Sequence, residues 1–165
     1  MKNSRFESTG YIHFENKDII ITDPCYIMRA EHHGTKPLTE DDWHTSNHGF
    51  NMEKLGIKNY LTHSTIYGDW SCTTYNSDTG EVIGEFCADA GLVSVFDLYE
   101  VLKYNPDFDY HINRKWTTTL IKNFTGDVRI KVERNENQSD WDGDNYDVYV
   151  EGEGNINFTT RQTGY

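Results

Sequence analysis

Carboxylates bunch at one place in this chain, Asp140-Trp141-Asp142-Gly143-Asp144-Asn145-Tyr146-Asp147, with Glu151 close behind. Counted from Asp140, they fall at positions 1, 3, 5 and 12 of a calcium-loop pattern. Hard oxygens at such flexible spacing suit Ca²⁺ better than Mg²⁺. Asp140, Asp142, Asp144 and Glu151 are therefore the candidate metal ligands, and calcium is the one cofactor the chain suggests. Gly143 at position 4, Asn145 at position 6 and the lack of flanking helices depart from the pattern. A solvated Asp-Gly hairpin turn would use the same residues. A second cluster, His32, His33, His44, His48 and His63 near Asp41 and Asp42, could hold a transition metal if His44 and His48 shared a helix face. Ser46-Asn47 and Gly49 argue against that helix, and polar surface filler is the plainer account.

Nucleophilic chemistry would fall to Cys25 or Cys87, paired with a histidine base. A reactive thiolate needs a positive neighbour, whereas Asp23 and Asp89 stand two residues from these cysteines and oppose ionisation. There is no Gly-x-Ser-x-Gly, no glycine-rich phosphate loop and no dinucleotide fingerprint. Cysteine as a small buried hydrophobe is the default. More promising is a pocket without a reaction. Tyr26, Trp43, Tyr67, Trp70 and Tyr75 lie close to turns, interleaved with Asp23, Thr65, Asp69, Ser71 and Asp89. Aromatic faces beside hydroxyls and carboxylates suit a planar ligand such as a nucleobase. Asp23, Tyr26, Tyr67, Trp70 and Asp89 form the candidate ligand-binding set, with ordinary sheet packing as the alternative.

Positioning these residues is a task for strands. Ile19-Ile20-Ile21-Thr22 is a β-branched run too apolar for a one-sided strand, and Pro24 ends it by removing a ladder donor. Tyr11–Phe14 and Asp18–Thr22 read as two strands of a hairpin joined by Glu15-Asn16-Lys17. Leu61 to Thr74 is β-rich with a bend at Gly68-Asp69, and Asn76-Ser77-Asp78-Thr79-Gly80 is a strong turn leading to a strand over Glu81–Phe86. Leu92–Phe96 is again apolar. Two short helices are expected, one over Pro37–His44 behind Thr39, the other over 97–104, capped by Asp97 and closed before Pro106. Thr117–Lys122, Asp127–Glu133, Tyr146–Val150 and Ile156–Thr160 read as a closing meander.

These elements predict an α+β fold, a mostly antiparallel β sheet, sandwich or half-barrel like, with one or two short helices. The 165 residues suit a single domain over 1–165, with a flexible lead-in over 1–10, an irregular or helical insert over 29–60 and the β meander over 117–165. An aromatic share of 14% offsets the modest apolar content in building a core.

Charge narrows the partners. There are 27 acidic against 15 basic residues, a net −12, which argues against direct nucleic-acid binding. It agrees with high solubility or with an opposing basic surface. Asp140, Asp142, Asp144, Asp147, Glu151 and Glu153 are the candidate partner-binding residues. Three cysteines, an odd number without Cys-x-x-Cys spacing, and a polar N-terminus predict a cytoplasmic protein with reduced thiols and no membrane association.

The order Asp23-Pro24-Cys25-Tyr26, then Trp43, Tyr67-Gly68-Asp69 and Asp89-Ala90-Gly91 before an apolar strand resembles a family of small uncharacterised phage and mobile-element proteins. The likeness spans about residues 10–98, and the closing Asn157–Tyr165 stretch adds to it. Cys87-Ala88 before the Asp-Ala-Gly and the long 29–60 insert depart from that pattern. The resemblance implies a phage accessory protein acting inside the host cytosol against a bacterial defence system. Such a protein would block a basic nucleic-acid-binding cleft on a host protein or sequester a small nucleotide signal. The alternatives from other classes are a metal-assisted or cysteine hydrolase and a calcium-stabilised structural or interaction domain.

Overall fold

A computed structural model describes residues 4–29, 52–64, 71–88, 91–112, 114, 116–135 and 146–164. Its strands are β1 (Ser4–Thr22), β2 (Tyr60–Ser64), β3 (Ser71–Asn76), β4 (Val82–Cys87), β5 (Leu92–Asp97), β6 (Thr118–Asn135), β7 (Tyr146–Gly154) and β8 (Phe158–Gly164). They form one eight-stranded sheet in the order β2-β5-β1-β6-β7-β8-β3-β4, with antiparallel pairing throughout. Two short helices, α1 (Leu98–Tyr104) and α2 (Asp109–Ile112), lie between β5 and β6. The fold is the expected α+β type, and the closing meander is β6-β7-β8. The expected helix over Pro37–His44 lies outside the described residues. No helix among those described is long and apolar enough to cross a membrane.

The N-terminal hairpin is not formed. Tyr11–Phe14 and Asp18–Thr22 belong to one strand, β1, whose two halves both pair with β6. β1 already starts at Ser4, inside the stretch read as a lead-in, where Ser4 pairs with Asn135. Glu15-Asn16-Lys17 makes a bulge instead of a turn, with register shifts on both sides of Lys17. Asn16 takes φ 51° and, across the ladder, Asn123 takes φ 53°, a left-handed conformation that asparagine tolerates better than most residues. Each bulge is secured by the other strand. Asn16 N donates to Thr125 Oγ1 at 2.9 Å, and Asn123 N donates to Asp18 Oδ1 at 2.9 Å. The same geometry fuses Thr117–Lys122 and Asp127–Glu133 into the single strand β6.

Bulges bend and twist strands, and here the far edge of the sheet comes round to meet β6. A Cβ on Gly84 of β4 would stand 2.9 Å from Thr119 Oγ1 of β6, and Thr74 of β3 donates its hydroxyl to Thr119 at 3.1 Å. The sheet is thus curled into a half-barrel, filled by Phe14, Ile19, Ile21, Phe86, Val95, Ile121, Phe124, Val128, Ile130, Val150 and Phe158. Ile20, of opposite parity, joins a second core on the outer face with Ile27, Met52, Ile57, Phe96, Leu98, Val101 and Phe108. Ile19, Ile20 and Ile21 are all fully buried, as their run without polar alternation predicts.

The outer core exists because α1 is held against the sheet. Asp97 caps it, accepting from Tyr99 N at 2.9 Å, and Leu98 and Val101 are its buried residues. Glu100 Oε1 accepts from Lys58 N at 2.6 Å and Asn59 N at 3.1 Å, which fastens the chain entering β2 to the helix.

Within the barrel, packing leaves no room at Gly152, where a Cβ would fall 2.0 Å from Phe158 Cε2. The Phe158 ring is itself held edge-on to Phe124, 5.5 Å between centroids. Gly152→Ala is expected to lower stability by about 2–3 kcal/mol through overpacking. Phe158→Leu in the same chain should recover part of that loss. Urea unfolding checks both, read as a midpoint shift at constant slope, and a loss below about 0.5 kcal/mol would mean the ring yields freely.

Candidate functional site

The corner at the end of β1 is the first candidate region, and its chemistry is set by burial. Asp23 is wholly buried. A carboxylate in that position must be hydrogen-bonded. Oδ1 accepts from Cys25 N at 2.9 Å, capping the 3₁₀ turn Pro24–Tyr26, and Oδ2 accepts from Leu92 N at 3.2 Å, at the first residue of β5. Both oxygens of Asp23 are therefore engaged by backbone within the fold. The turn is fastened below by Asn105, whose Nδ2 donates to Ile27 O at 2.9 Å, and by Tyr104, whose hydroxyl accepts from Arg29 N at 3.1 Å.

The cysteines around this corner differ in exposure. Cys25 and Cys87 are half-buried, whereas Cys72 is buried. Burial pushes the Cys72 thiol up to about 12, with Cys87 and Asp23 adding to the effect. It is thus a packing residue and not a nucleophile.

Tyr26 faces the other way, onto a strip of rings carried by the short helices. Its ring lies 5.4 Å from His111, which also contacts Phe108 at 5.8 Å and Tyr110 edge-on at 5.2 Å. Tyr110 in turn carries Arg114, whose guanidinium stands 5.0 Å over the ring and donates from Nη1 to the tyrosine hydroxyl at 3.1 Å. Burial and the nearby Arg114 both hold the His111 imidazole below its ordinary range, and Nδ1 is buried without a hydrogen-bond partner. The strip ends at a pocket of about 370 Å³ between β4 and the connection from α2 to β6, lined by Val82, Gly84, Glu85, Ile112, Arg114, Trp116 and Thr118.

A second pocket, of about 360 Å³, opens beside the β7–β8 connection and is lined by Ser77, Asp78, Glu151, Gly152, Glu153, Asn157 and Phe158. Three of these are acids and none is basic. Asn157 Nδ2 donates to Asp78 Oδ2 at 3.1 Å and its Oδ1 accepts from Gly154 N at 3.1 Å, which sets the rim. Glu151 is ion-paired with Lys131 of β6 at 2.7 Å, while Glu153 is exposed.

Of the residues expected to bind a ligand, Asp23 and Tyr26 sit on one turn but face different neighbours, and Tyr67, Trp70 and Asp89 lie outside the described residues. So do Asp140, Asp142 and Asp144 of the calcium pattern, as well as His32, His33, His44 and His48. Asp147 pairs by its backbone with Glu133, and His63 is buried on β2. Among the described residues no group of three or more His, Cys, Asp or Glu is placed to hold a metal ion. Glu85, His111, Arg114 and Trp116 were not singled out from the sequence. For the last three the signal that could have found them is the crowding of Tyr110, His111, Arg114 and Trp116 in the stretch 110–116, whereas Glu85 carries no such signal.

Two measurements test these assignments. Asp23→Ala strands two backbone donors and is expected to cost about 2–4 kcal/mol by urea unfolding, with Asp23→Asn less harmful because one acceptor survives. A loss below about 0.5 kcal/mol would reject the carboxylate as the tie between β1 and β5. Histidine NMR titration should separate His13 from His111. Asp127 Oδ1, accepting from His13 Nδ1 at 2.8 Å, raises His13 above its ordinary 6.5, so its contribution is full below that value and is lost as pH rises through the folded-state pKa. His111 is lowered, so its contribution is present above 6.5 and is lost as pH falls through its folded-state pKa. Titration of both at one midpoint would contradict the geometry.

No protein-family model, curated protein or solved structure matches this chain.

Proposed function

We propose that this chain is a small acidic binding protein of the phage accessory type, inhibiting a bacterial defence system by covering a basic nucleic-acid-binding cleft. The observation that carries the reading is the charge balance of 27 acids against 15 bases. A net −12 repels phosphate and attracts the surfaces that normally receive it. The acid-lined pocket at Asp78, Glu151 and Glu153 supports the reading by offering a recess for a partner's Arg or Lys side chain. Glu151 and Glu153 were also expected from the sequence as partner-binding residues, together with Asp140, Asp142, Asp144 and Asp147. The phage context is drawn from the Asp23-Pro24-Cys25-Tyr26 and Asp89-Ala90-Gly91 resemblance.

Charge-led association is fast, salt-sensitive and weakened by modest amounts per rim charge. Calorimetry against defence nucleases with basic clefts should therefore give an affinity that falls as salt rises. The double variant Glu151→Gln, Glu153→Gln is expected to bind about tenfold more weakly, in line with the small worth of exposed charges. Binding that ignores salt, or no binding to any such cleft, would sink the reading.

A further inference from the structure

We propose that His111 is a pH-operated latch: when its imidazole takes up a second proton, the segment from α2 to the start of β6 lets go of the Pro24–Tyr26 turn while the sheet stays folded. The latch is independent of the basic-cleft reading and shares no residue with the acid-lined pocket.

The segment is held at few points. Phe108 is fully buried in the outer core and Thr118 pairs with Thr22 in the β1–β6 ladder, so both ends are fixed. Between them Asp109, Tyr110, Arg114 and Trp116 are exposed, and among the described residues only His111, Ile112 and Thr117 are covered to any degree. His111 also anchors the backbone there. Its carbonyl accepts from Arg114 N at 3.2 Å and from Thr117 Oγ1 at 2.8 Å. A change at this one residue therefore reaches the whole connection. Stretches with few buried contacts are where local opening costs least.

The surroundings of the ring accept its neutral form and resist the cation. His111 lies 5.4 Å from Tyr26 of the turn, 5.8 Å from Phe108 and 5.2 Å from Tyr110. The titratable groups facing it are the phenols of Tyr26 and Tyr110, and the one charge acting on it is Arg114 of the connection. No carboxylate among the described residues pairs with the ring, so an imidazolium here meets a cation and no counter-ion. The Tyr110 ring, which could favour a cation, already carries the Arg114 guanidinium. Nδ1 is closed off from water without a hydrogen-bond partner. In the neutral ring one nitrogen is a bare acceptor, whereas in the imidazolium both carry N–H. Protonation thus leaves a charged donor buried with nothing to receive it, the costliest kind of unmade hydrogen bond. Opening the latch hands that donor to water.

The closed segment holds His111 below its ordinary 6.5, by burial first and by Arg114 second, and the opened segment returns it to that value. Opening is therefore constant above pH 6.5, rises as pH falls below it, and levels off below the closed-state midpoint.

The test is amide hydrogen exchange on the full chain from about pH 8 to about pH 5, read as protection factors corrected for intrinsic exchange, beside NMR titration of the His111 ring. The Arg114 amide is expected to lose at least about fivefold in protection, between pH 6.5 and the midpoint of the His111 ring. Val150 N, which donates to Thr160 Oγ1 inside the barrel, should keep its protection over that range. His111→Phe retains the ring strip without a titratable nitrogen and should make the Arg114 amide independent of pH. His111→Gln, neutral throughout, should do the same where phenylalanine disturbs the packing, and the parent chain decides the question without either variant. The proposal is overturned by constant protection at Arg114 in the parent chain, by a fall that Val150 shares, or by a fall outside that pH window. A folded His111→Phe or His111→Gln variant that loses protection as the parent does would overturn it equally.

Discussion

The Asp23 carboxylate, hydrogen-bonded through one oxygen to Cys25 N and through the other to Leu92 N, fixes where β1 stops and where β5 starts. Both apolar cores depend on that junction. β1 pairs with β5 over Ile19–Thr22, so the carboxylate sets the register of two neighbouring central strands at their common end. Ile19 and Ile21 then face the half-barrel while Ile20 faces the helices. A one-residue slip would exchange these sides and drive the outer-core residue into the barrel. The same turn directs Tyr26 and Ile27 into the helical layer, so a single buried carboxyl group organises both faces of the sheet.

Curvature has a separate origin. β1 and β6 share the longest ladder, and each accommodates one asparagine with positive φ near the middle of the pairing. These facing irregularities let two long strands bend together, and the bend returns β3 and β4 to the start of β6. Gly84 permits the approach, since any side chain there would meet Thr119. The buried hydroxyls along this seam are satisfied by one another and by backbone: Thr74 to Thr119, Thr118 to Thr22, Thr22 to Thr117 O. The pocket of Glu85, Arg114 and Trp116 is a consequence of that closure, because it lies where the β4 edge meets the chain leading into β6.

Elements governed by local rules were legible in the sequence. The Ile19–Ile21 run declared a strand buried on both faces. Asn76 to Gly80 forms the expected turn, with Asn76 Oδ1 accepting from Asp78 N and Thr79 N. Asp97 caps the expected helix. Glu15-Asn16-Lys17 was misleading because a polar break between two strand-like runs is the same signal for a hairpin and for a bulge. Only the partner decides, and both runs pair with β6, 96 to 118 residues away in the chain. Leu61 to Thr74 was likewise read as one β-rich stretch, yet β2 lies at one edge of the sheet and β3 next to the other. As for the sites, Asp23 was visible as a special residue but its chemistry was not, because burial and the Leu92 contact depend on tertiary structure. Glu85 gave no signal at all, since its isolation is a property of its surroundings.

Net charge is an incomplete guide to where partners bind. Along the outward positions of β6, two acids, Asp127 and Glu133, flank two bases, Arg129 and Lys131, and across the ladder Lys131 neutralises Glu151. On β8, Arg161 lies 4.7 Å over the Tyr149 ring of β7. The middle of the sheet's outer face is therefore electrically mixed, and mixed surfaces project little field beyond a screening length. Local groups decide what each recess can hold. The recess at Asp78, Glu151 and Glu153 has acids and no lining cation, so it suits a cationic side chain. What a recess can hold is thus set within a few ångströms, where the total charge has little weight.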